Sequence, residues 1–326
     1  DPQYKPMELL HELKITDAKV LVMMDALYLL IKNSLPKTNI EHLVSTNLLD
    51  FVTAPPEVFQ KIRDNVPDFQ DKVPDEVEHY GVHRMKQVIE ETEAKEFEVD
   101  IDPWEDPACY LMTGGTTGLP KAAMLTHSNL YLNLKMMEPW TNLVPGMITI
   151  GSIPFFHSFG MTCVMNGSLA LGMKMLLFPK PPPEEDLCTV VNQLEAPEGI
   201  MYTGVEMLFK RLTDFAEEMG VDEFKKKYDF WKKLKYATQG AGPLHDYVRE
   251  PFEEIFCNIR VGYGLTETSP VVSVAPFWGP NKTGKLGLPL PGTDWAIFDP
   301  DASKFDEGPI CDGTKEKGNF GVEHTG

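Results

Sequence analysis

The chain has 326 residues, 42% hydrophobic and 24% charged, which is long enough for two globular domains and too apolar for a disordered polymer. Its 30 Lys and Arg against 49 Asp and Glu give a formal charge of -19, a field that repels polyanions and argues against nucleic acid as a partner. A nucleotide meets the same long-range repulsion, so any nucleotide site must draw on backbone amides, a lysine and a metal ion.

In chain order, "MELLHELK" has helical spacing, "AKVLVMM" (Ala18 to Met24) reads as a short buried strand and "IEHLVST" as a second, which suggests βαβ units and a parallel sheet. Residues from about Leu49 to Asp106 are rich in Pro, Asp and Glu, and read as a surface connection with one helix in "EVEHYGVHRMKQVIEETEA". From Ala108 the pattern is strand, glycine loop, strand, helix, with His127 ending the second strand and Ser128 capping the helix. "MITIGSIPFFH" follows as strand and turn, "FGMTCVMNGSLALG" as helix and "KMLLF" as strand. Met161 to Phe178 is the most apolar long segment, but Asn166, Lys174, Gly167 and Gly172 interrupt it, so it reads as core rather than a membrane span.

Pro181-Pro182-Pro183 before Glu184-Glu185-Asp186 makes a sharp acidic helix start. "GIMYTG", "LKYATQG" and "NIRVGYG" are short apolar runs ending in glycine, with helical stretches from Val205 to Glu218 and from Leu244 to Phe256 between them. In open α/β sheets ligands sit beyond the carboxyl ends of the strands, so these glycines should face one crevice. "GVDEFKKKYDFWKK" reads as a charged surface helix, and "KLGLPLPGTDWAIFD" as β-hairpins. Cys109, Cys163, Cys188, Cys257 and Cys311 lie far apart without C-x-x-C spacing, which fits a reducing cytoplasm rather than a zinc site or disulfide framework. There is no signal-peptide pattern, and the opening Asp1-Pro2 and closing "FGVEHTG" read as an internal segment.

"TGGTTGLPK" carries the chemistry. Gly114, Gly115 and Gly118 let a backbone approach a ligand, Thr113, Thr116 and Thr117 add hydroxyl donors, and Lys121 adds a point charge. A P-loop is excluded, because Pro120 precedes the lysine and Ala122 follows it. Both flanks, "ACYLM" and "AAMLT", are strand-like, so the loop joins two strands and could close over a polyphosphate as a flap; a plain hairpin turn is the alternative.

These nine residues resemble the phosphate-binding signature of the AMP-forming adenylating enzymes, the superfamily of acyl-CoA synthetases, luciferases and peptide-synthetase adenylation domains. "YLMTGGTTGLPKAAMLTHSNL" is especially similar to fatty-acyl-CoA ligases, although many members carry glycine where this chain has Ala122. "VGYGLTETSPVV" is similar to the family's adenylate-binding motif. The resemblance implies that Tyr263, between Gly262 and Gly264, stacks on adenine, that Thr266 bonds the α-phosphate, and that Glu267 holds Mg2+. "ATQGAGPL" looks like the segment beside adenine and the acyl group, which would make Gly240, Ala241 and Gly242 wall residues. "IPFFHSFGM" matches the acid-substrate segment, with His157 near the substrate carboxylate and Phe159 near the acyl pocket. Glu206 stands where many relatives have proline, and His127 is read as structural.

The resemblance implies an α/β fold: an adenylating-enzyme N-terminal domain with stacked αβαβα subdomains, lacking most of the β-barrel and the C-terminal domain. Its parts would be residues 1-106 (a partial first α/β subdomain and surface connection), 107-275 (the nucleotide- and acyl-binding core) and 276-326 (the start of a β-rich subdomain). It also implies ATP-dependent adenylation of a carboxylic acid, then thioester formation with coenzyme A, with ATP, Mg2+ and coenzyme A as cofactors or co-substrates. Catalysis would rest on Lys121, Thr266, Glu267 and His157, in a cytoplasmic protein that is impaired as an isolated chain. The alternatives are an aryl-CoA ligase or luciferase-like enzyme, and a non-catalytic nucleotide-binding protein. Membrane-surface contact and oligomeric state have no motif to decide them.

Overall fold

The computed structural model describes residues 5–47, 49–51, 55–58, 60, 72–113, 119–178 and 180–296. The chain divides into two compact units, one of residues 1–102 and 112–123, the other of residues 103–111 and 124–326.

The first unit holds a parallel sheet in the order β1 (Val20–Met24), β2 (His42–Thr46), β3 (Gly81–Arg84). Its core gathers Leu13 of the helix Pro6–Ile15 with Met23, Tyr28, Leu35, Leu43 and Tyr80, and the Tyr28 and Tyr80 hydroxyls meet at 3.3 Å. Two sequence expectations change here. The strand expected to be buried over Ala18 to Met24 is half-exposed, with Val20 at 51% and Val22 at 54% exposure, because alternate side chains of a strand leave opposite faces and only Met23 turns fully inward. Residues 81–84, read as part of a helix in a surface connection, form β3 beside β2, and the helix begins only at Met85 after an extended Arg84. Arg84 then ties the sheet to the preceding segment, donating to Ser45 Oγ at 2.9 Å and to the Val73 carbonyl at 2.8 Å.

β4 (Pro107–Thr113) and β5 (Lys121–Thr126) pair as a two-stranded sheet, so the glycine tract joins two strands as expected. Residues 114–118 of that tract lie outside the described residues. The helix His127–Met137 is capped by Thr126, not Ser128: Thr126 Oγ1 accepts from the Asn129 amide at 3.1 Å while Asn129 Oδ1 accepts from the Thr126 amide at 3.0 Å. Ser128 instead sits inside the first turn and is buried.

The second unit carries a seven-stranded sheet in the order β12 (Leu288–Pro289), β11 (Val271–Val274), β10 (Ile259–Gly264), β9 (Leu234–Gln239), β8 (Ile200–Gly204), β6 (Ile148–Gly151), β7 (Lys174–Leu177). β6 to β10 run parallel, and β11 and β12 add an antiparallel edge. The "FGMTCVMNGSLALG" helix is wound as a π-helix over Gly160–Asn166 before becoming α-helical over Gly167–Leu171.

The core lies under the sheet, against the helices Glu206–Met219 and Asp246–Ile255. Leu208, Phe209, Leu212 and Ala216 recur at helical spacing and are buried on one face, while Lys210 and Asp214 pair at 2.6 Å on the other. The "GVDEFKKKYDFWKK" run is two short helices, Val221–Lys227 and Phe230–Lys233, rather than a purely charged surface helix. Phe224, Tyr228 and Phe230 from it are buried in the core, with Phe224 5.4 Å from Tyr228 and 5.7 Å from Phe256. Edge-to-face and tilted aromatic pairs of this kind contribute roughly 0.5–1.5 kcal/mol each beyond the area they bury. No helix among the described residues is long and apolar enough to cross a membrane.

Candidate functional site

The parallel strands β6, β8, β9 and β10 lie side by side, and the segments leaving the carboxyl ends of β6, β9 and β10 meet in one cavity of about 240 Å³. His157, Ser158 and Phe159 come from the segment after β6, Gly240 and Ala241 from the end of β9, and Gly262 to Thr266 from the end of β10, closed by Pro270 and Val271. Of the residues singled out in the sequence, His157, Gly240, Ala241, Gly262, Tyr263, Gly264 and Thr266 therefore share one wall. Glu267 is exposed on the turn Thr266–Thr268, next to that wall but not in it, and Gly242 faces a separate cavity with Pro243 and Lys285. Thr113 and Lys121 belong to the other compact unit, where Thr113 Oγ1 donates to the Lys121 carbonyl at 3.4 Å and Lys121 is exposed. Gly114, Gly115, Thr116, Thr117 and Gly118 lie outside the described residues.

Backbone geometry builds this wall. A Cβ on Gly264 would collide with the Pro270 carbonyl oxygen, so that position requires glycine, whereas a Cβ on Gly240 would stand 3.2 Å from the Phe159 ring, which would have to give by a few tenths of an ångström. The turn after β10 closes on itself through the Leu265 amide, which donates to the Pro270 carbonyl at 3.0 Å.

His157 has a defined tautomer. Its Nδ1 accepts from the Phe159 amide at 3.1 Å, so in the neutral ring the proton sits on Nε2. Burial pushes the imidazole below its ordinary value, which favours a neutral ring offering one N–H donor.

Phe159, Gly262 and Val271 also line a second, larger cavity of about 330 Å³, whose other walls include Leu134, Met137, Cys163, Met201 and Phe277. The Lys135 and Glu138 ion pair also lines it. Burial pushes the Cys163 thiol up to about 12, so it behaves as an apolar wall group rather than a nucleophile. The arrangement is a polar chamber of backbone and imidazole opening beside an apolar one. It can orient a head group in the first and an aliphatic or aromatic body in the second.

Sequence reading missed three supporting residues. Buried Asn133 donates through Nδ2 to the carbonyls of Thr268 at 3.3 Å and Val271 at 2.8 Å, and accepts from the Val271 amide at 3.2 Å, so it brackets the turn after β10. His11 Nε2 lies 2.9 Å from the Pro120 carbonyl, next to Lys121 in sequence. Gln239 Nε2 donates to the carbonyls of Gly240 at 3.2 Å and Gly242 at 2.8 Å from inside the fold. Each is a polar side chain with a distant or carbonyl partner, and none left a local signal in the sequence.

Comparison with known proteins gives a consistent family. The family described as "AMP-binding enzyme" matches residues 1–314. A long-chain-fatty-acid--CoA ligase of Bacillus subtilis (strain 168) is 30% identical over 322 residues, covering 95% of this chain and 54% of its own length. The solved structure of a long-chain-fatty-acid-CoA ligase from Archaeoglobus fulgidus superposes with a TM-score of 0.66 at 25% identity, over 92% of this chain and 54% of that one. Apo MatB from Rhodopseudomonas palustris reaches a TM-score of 0.69 at 19% identity, over 92% of this chain and 50% of that one, a likeness of fold. The chain thus spans about half the length of the relatives it matches.

Proposed function

The chain belongs to the AMP-binding enzyme family, and from that premise we propose that it is the nucleotide- and acyl-binding core of a fatty-acid–CoA ligase. One observation carries the reading: three segments far apart in sequence line a single polar cavity, which shares Phe159, Gly262 and Val271 with a larger apolar one. The likeness to ligases named for long-chain fatty acids supports an aliphatic acid as substrate.

In this reading the acid carboxylate lies by His157, whose Nε2–H donates to it and orients it for attack on the α-phosphate of ATP, giving acyl-adenylate and pyrophosphate. Tyr263 supplies the face for adenine and Thr266 a hydroxyl for the α-phosphate. Thr113 to Gly118 supply amides and hydroxyls for the departing phosphates, and Lys121 its ammonium. Glu267, an exposed single carboxylate, fits Mg2+, which is commonly held by one or two carboxylates and substrate phosphates. Bound there, the ion would neutralise phosphate oxygens as charge develops. In the second step the thiol of coenzyme A takes the acyl group and AMP leaves. No protein nucleophile is needed.

The test is acid-dependent exchange of labelled pyrophosphate into ATP, with aliphatic acids of increasing length and aromatic acids side by side. Exchange that rises with aliphatic length is the expected outcome. Preference for an aromatic acid would favour an aryl-CoA ligase, and exchange with none, beside intact ATP binding, a non-catalytic role.

A further inference from the structure

The turn from Gly240 to Leu244 supplies part of the polar wall, and it is gripped from two sides. From inside, the Gln239 amide donates to the carbonyls of Gly240 and Gly242. From outside, one carboxylate holds the exit of the turn. Glu206, the first residue of the helix after β8, accepts through Oε2 from the His245 backbone amide at 3.0 Å and lies 2.8 Å from His245 Nδ1. Its Oε1 accepts from the Tyr247 hydroxyl at 3.0 Å. The His245 and Tyr247 rings stack with centroids 5.6 Å apart, so the donors are held as a set.

Burial pushes the Glu206 carboxyl up, but the bonds from the His245 side chain, the His245 amide and Tyr247 together outweigh it and hold the group below its ordinary value. Hydrogen bonds to a charged acceptor are shorter and stronger than neutral ones. The turn has reason to need such a hold. Ala241, in its middle, has φ of 65° in the left-handed region that residues with a Cβ seldom adopt, and such conformations persist only where the surroundings over-determine them.

We propose that Glu206 is a positioning residue for the nucleotide wall: by fixing His245 at the exit of the turn, it keeps Gly240 and Ala241 facing the cavity. Glu206 is not among the residues lining that cavity and acts through His245. The inference rests on reading the cavity as the adenylate site, and the experiment separates the two.

Amide hydrogen exchange across residues 241–245, thermal unfolding and the calorimetric Kd for ATP with Mg2+ are measured for the whole chain, unmodified and as Glu206→Ala, Glu206→Gln and Tyr247→Phe. In Glu206→Ala, exchange in the turn should quicken and the Kd rise, each about tenfold, the net contribution of one charge-assisted hydrogen bond. Exchange in the core strands should stay unchanged. Glu206→Gln, which keeps one acceptor oxygen, should fall between, and Tyr247→Phe should move least. A purely structural role would instead quicken exchange in the turn and core together. Unchanged exchange in the turn, or faster exchange with an unchanged Kd, overturns the proposal. An unmodified chain that binds no ATP would sink the adenylate reading, while the exchange measurement, which needs no ligand, still decides whether Glu206 positions the turn.

Discussion

The two cavities of the larger unit share Phe159, Gly262 and Val271 but are built by opposite means. The smaller is largely backbone: strand ends and turns at Gly240, Ala241, Gly262 and Gly264, with polar groups from His157 and Thr266. The larger is mostly side chain, with Leu134, Met137 and Leu171 from one side and Met201, Val274 and Phe277 from the other. A charged head group must be matched by fixed donors, which backbone supplies without rotamer freedom, whereas an apolar body needs only volume, which side chains can resize. The polar cavity should therefore fail sharply where an added Cβ meets backbone, as at Gly264, and bend where it meets only a side chain, as at Gly240.

The strongest way to break that contrast is Gly264→Ala. The new Cβ meets the Pro270 carbonyl oxygen, a backbone atom that cannot rotate away, so the turn must open. We expect a loss of about 3 kcal/mol, at the upper end of overpacking costs, together with loss of ATP binding. Denaturant unfolding and calorimetry check it, and near-normal stability would show that the turn yields.

Asn133→Ala comes next. It removes both donor bonds and the acceptor bond that bracket Thr268 and Val271, leaving buried backbone groups unpaired at a cost of about 2 kcal/mol. ATP binding should weaken more than acid binding, because Asn133 braces the turn that carries Thr266 and directly follows the strand end bearing Tyr263. Equal weakening of both would mean the two cavities are not separable.

Gly240→Ala is smaller still. Its Cβ would lie 3.2 Å from the Phe159 ring, which belongs to a side chain that can shift a few tenths of an ångström toward the apolar cavity. Stability should drop by less than about 1.5 kcal/mol, and the loss should be selective for the bulkiest acids. A large loss of ATP affinity instead would place the effect in the polar chamber.

The same contrast explains what the sequence made legible. Glycines mark backbone-built walls, so "ATQGAGPL" and "VGYGLTETSPVV" announced their place at strand ends, and β9 and β10 end there. Side chains that act across long sequence separations announce nothing locally. Asn133 reads as one more polar residue on an amphipathic helix, and its partners lie 135 and 138 residues away. Glu206 reads as the acidic first turn of a helix, while its donors His245 and Tyr247 lie 39 and 41 residues on. In "FKKKYDFWKK" the lysines dominate the composition, yet the chain turns between two short helices so that Phe224, Tyr228 and Phe230 face inward. "GVHR" went unread as β3 because four residues running straight into a helix carry too little period to separate from it.

The mildest test concerns protons at the polar chamber and behind its wall. Burial holds the His157 imidazole below its ordinary value, whereas in the unfolded chain it titrates near about 6.5. As pH falls through that ordinary range, the unfolded chain takes up a proton at His157 before the folded chain does. By linkage the stability contributed by the neutral ring is present above the unfolded value and declines as pH falls below it, until the folded ring also protonates. Glu206 has the analogous acid limb: its folded value is depressed, so its contribution is present above about 4.3, the unfolded glutamate value, and is lost as pH falls through the folded value. Unfolding free energy measured from about pH 8 down to about pH 2 should therefore slope downward first through the histidine range and again below the ordinary glutamate range, and His157→Asn should flatten that first limb while leaving the lower one. If His157→Asn leaves the upper limb intact, the imidazole is not desolvated as the cavity geometry requires, and its role as a fixed N–H donor in the polar chamber falls with it.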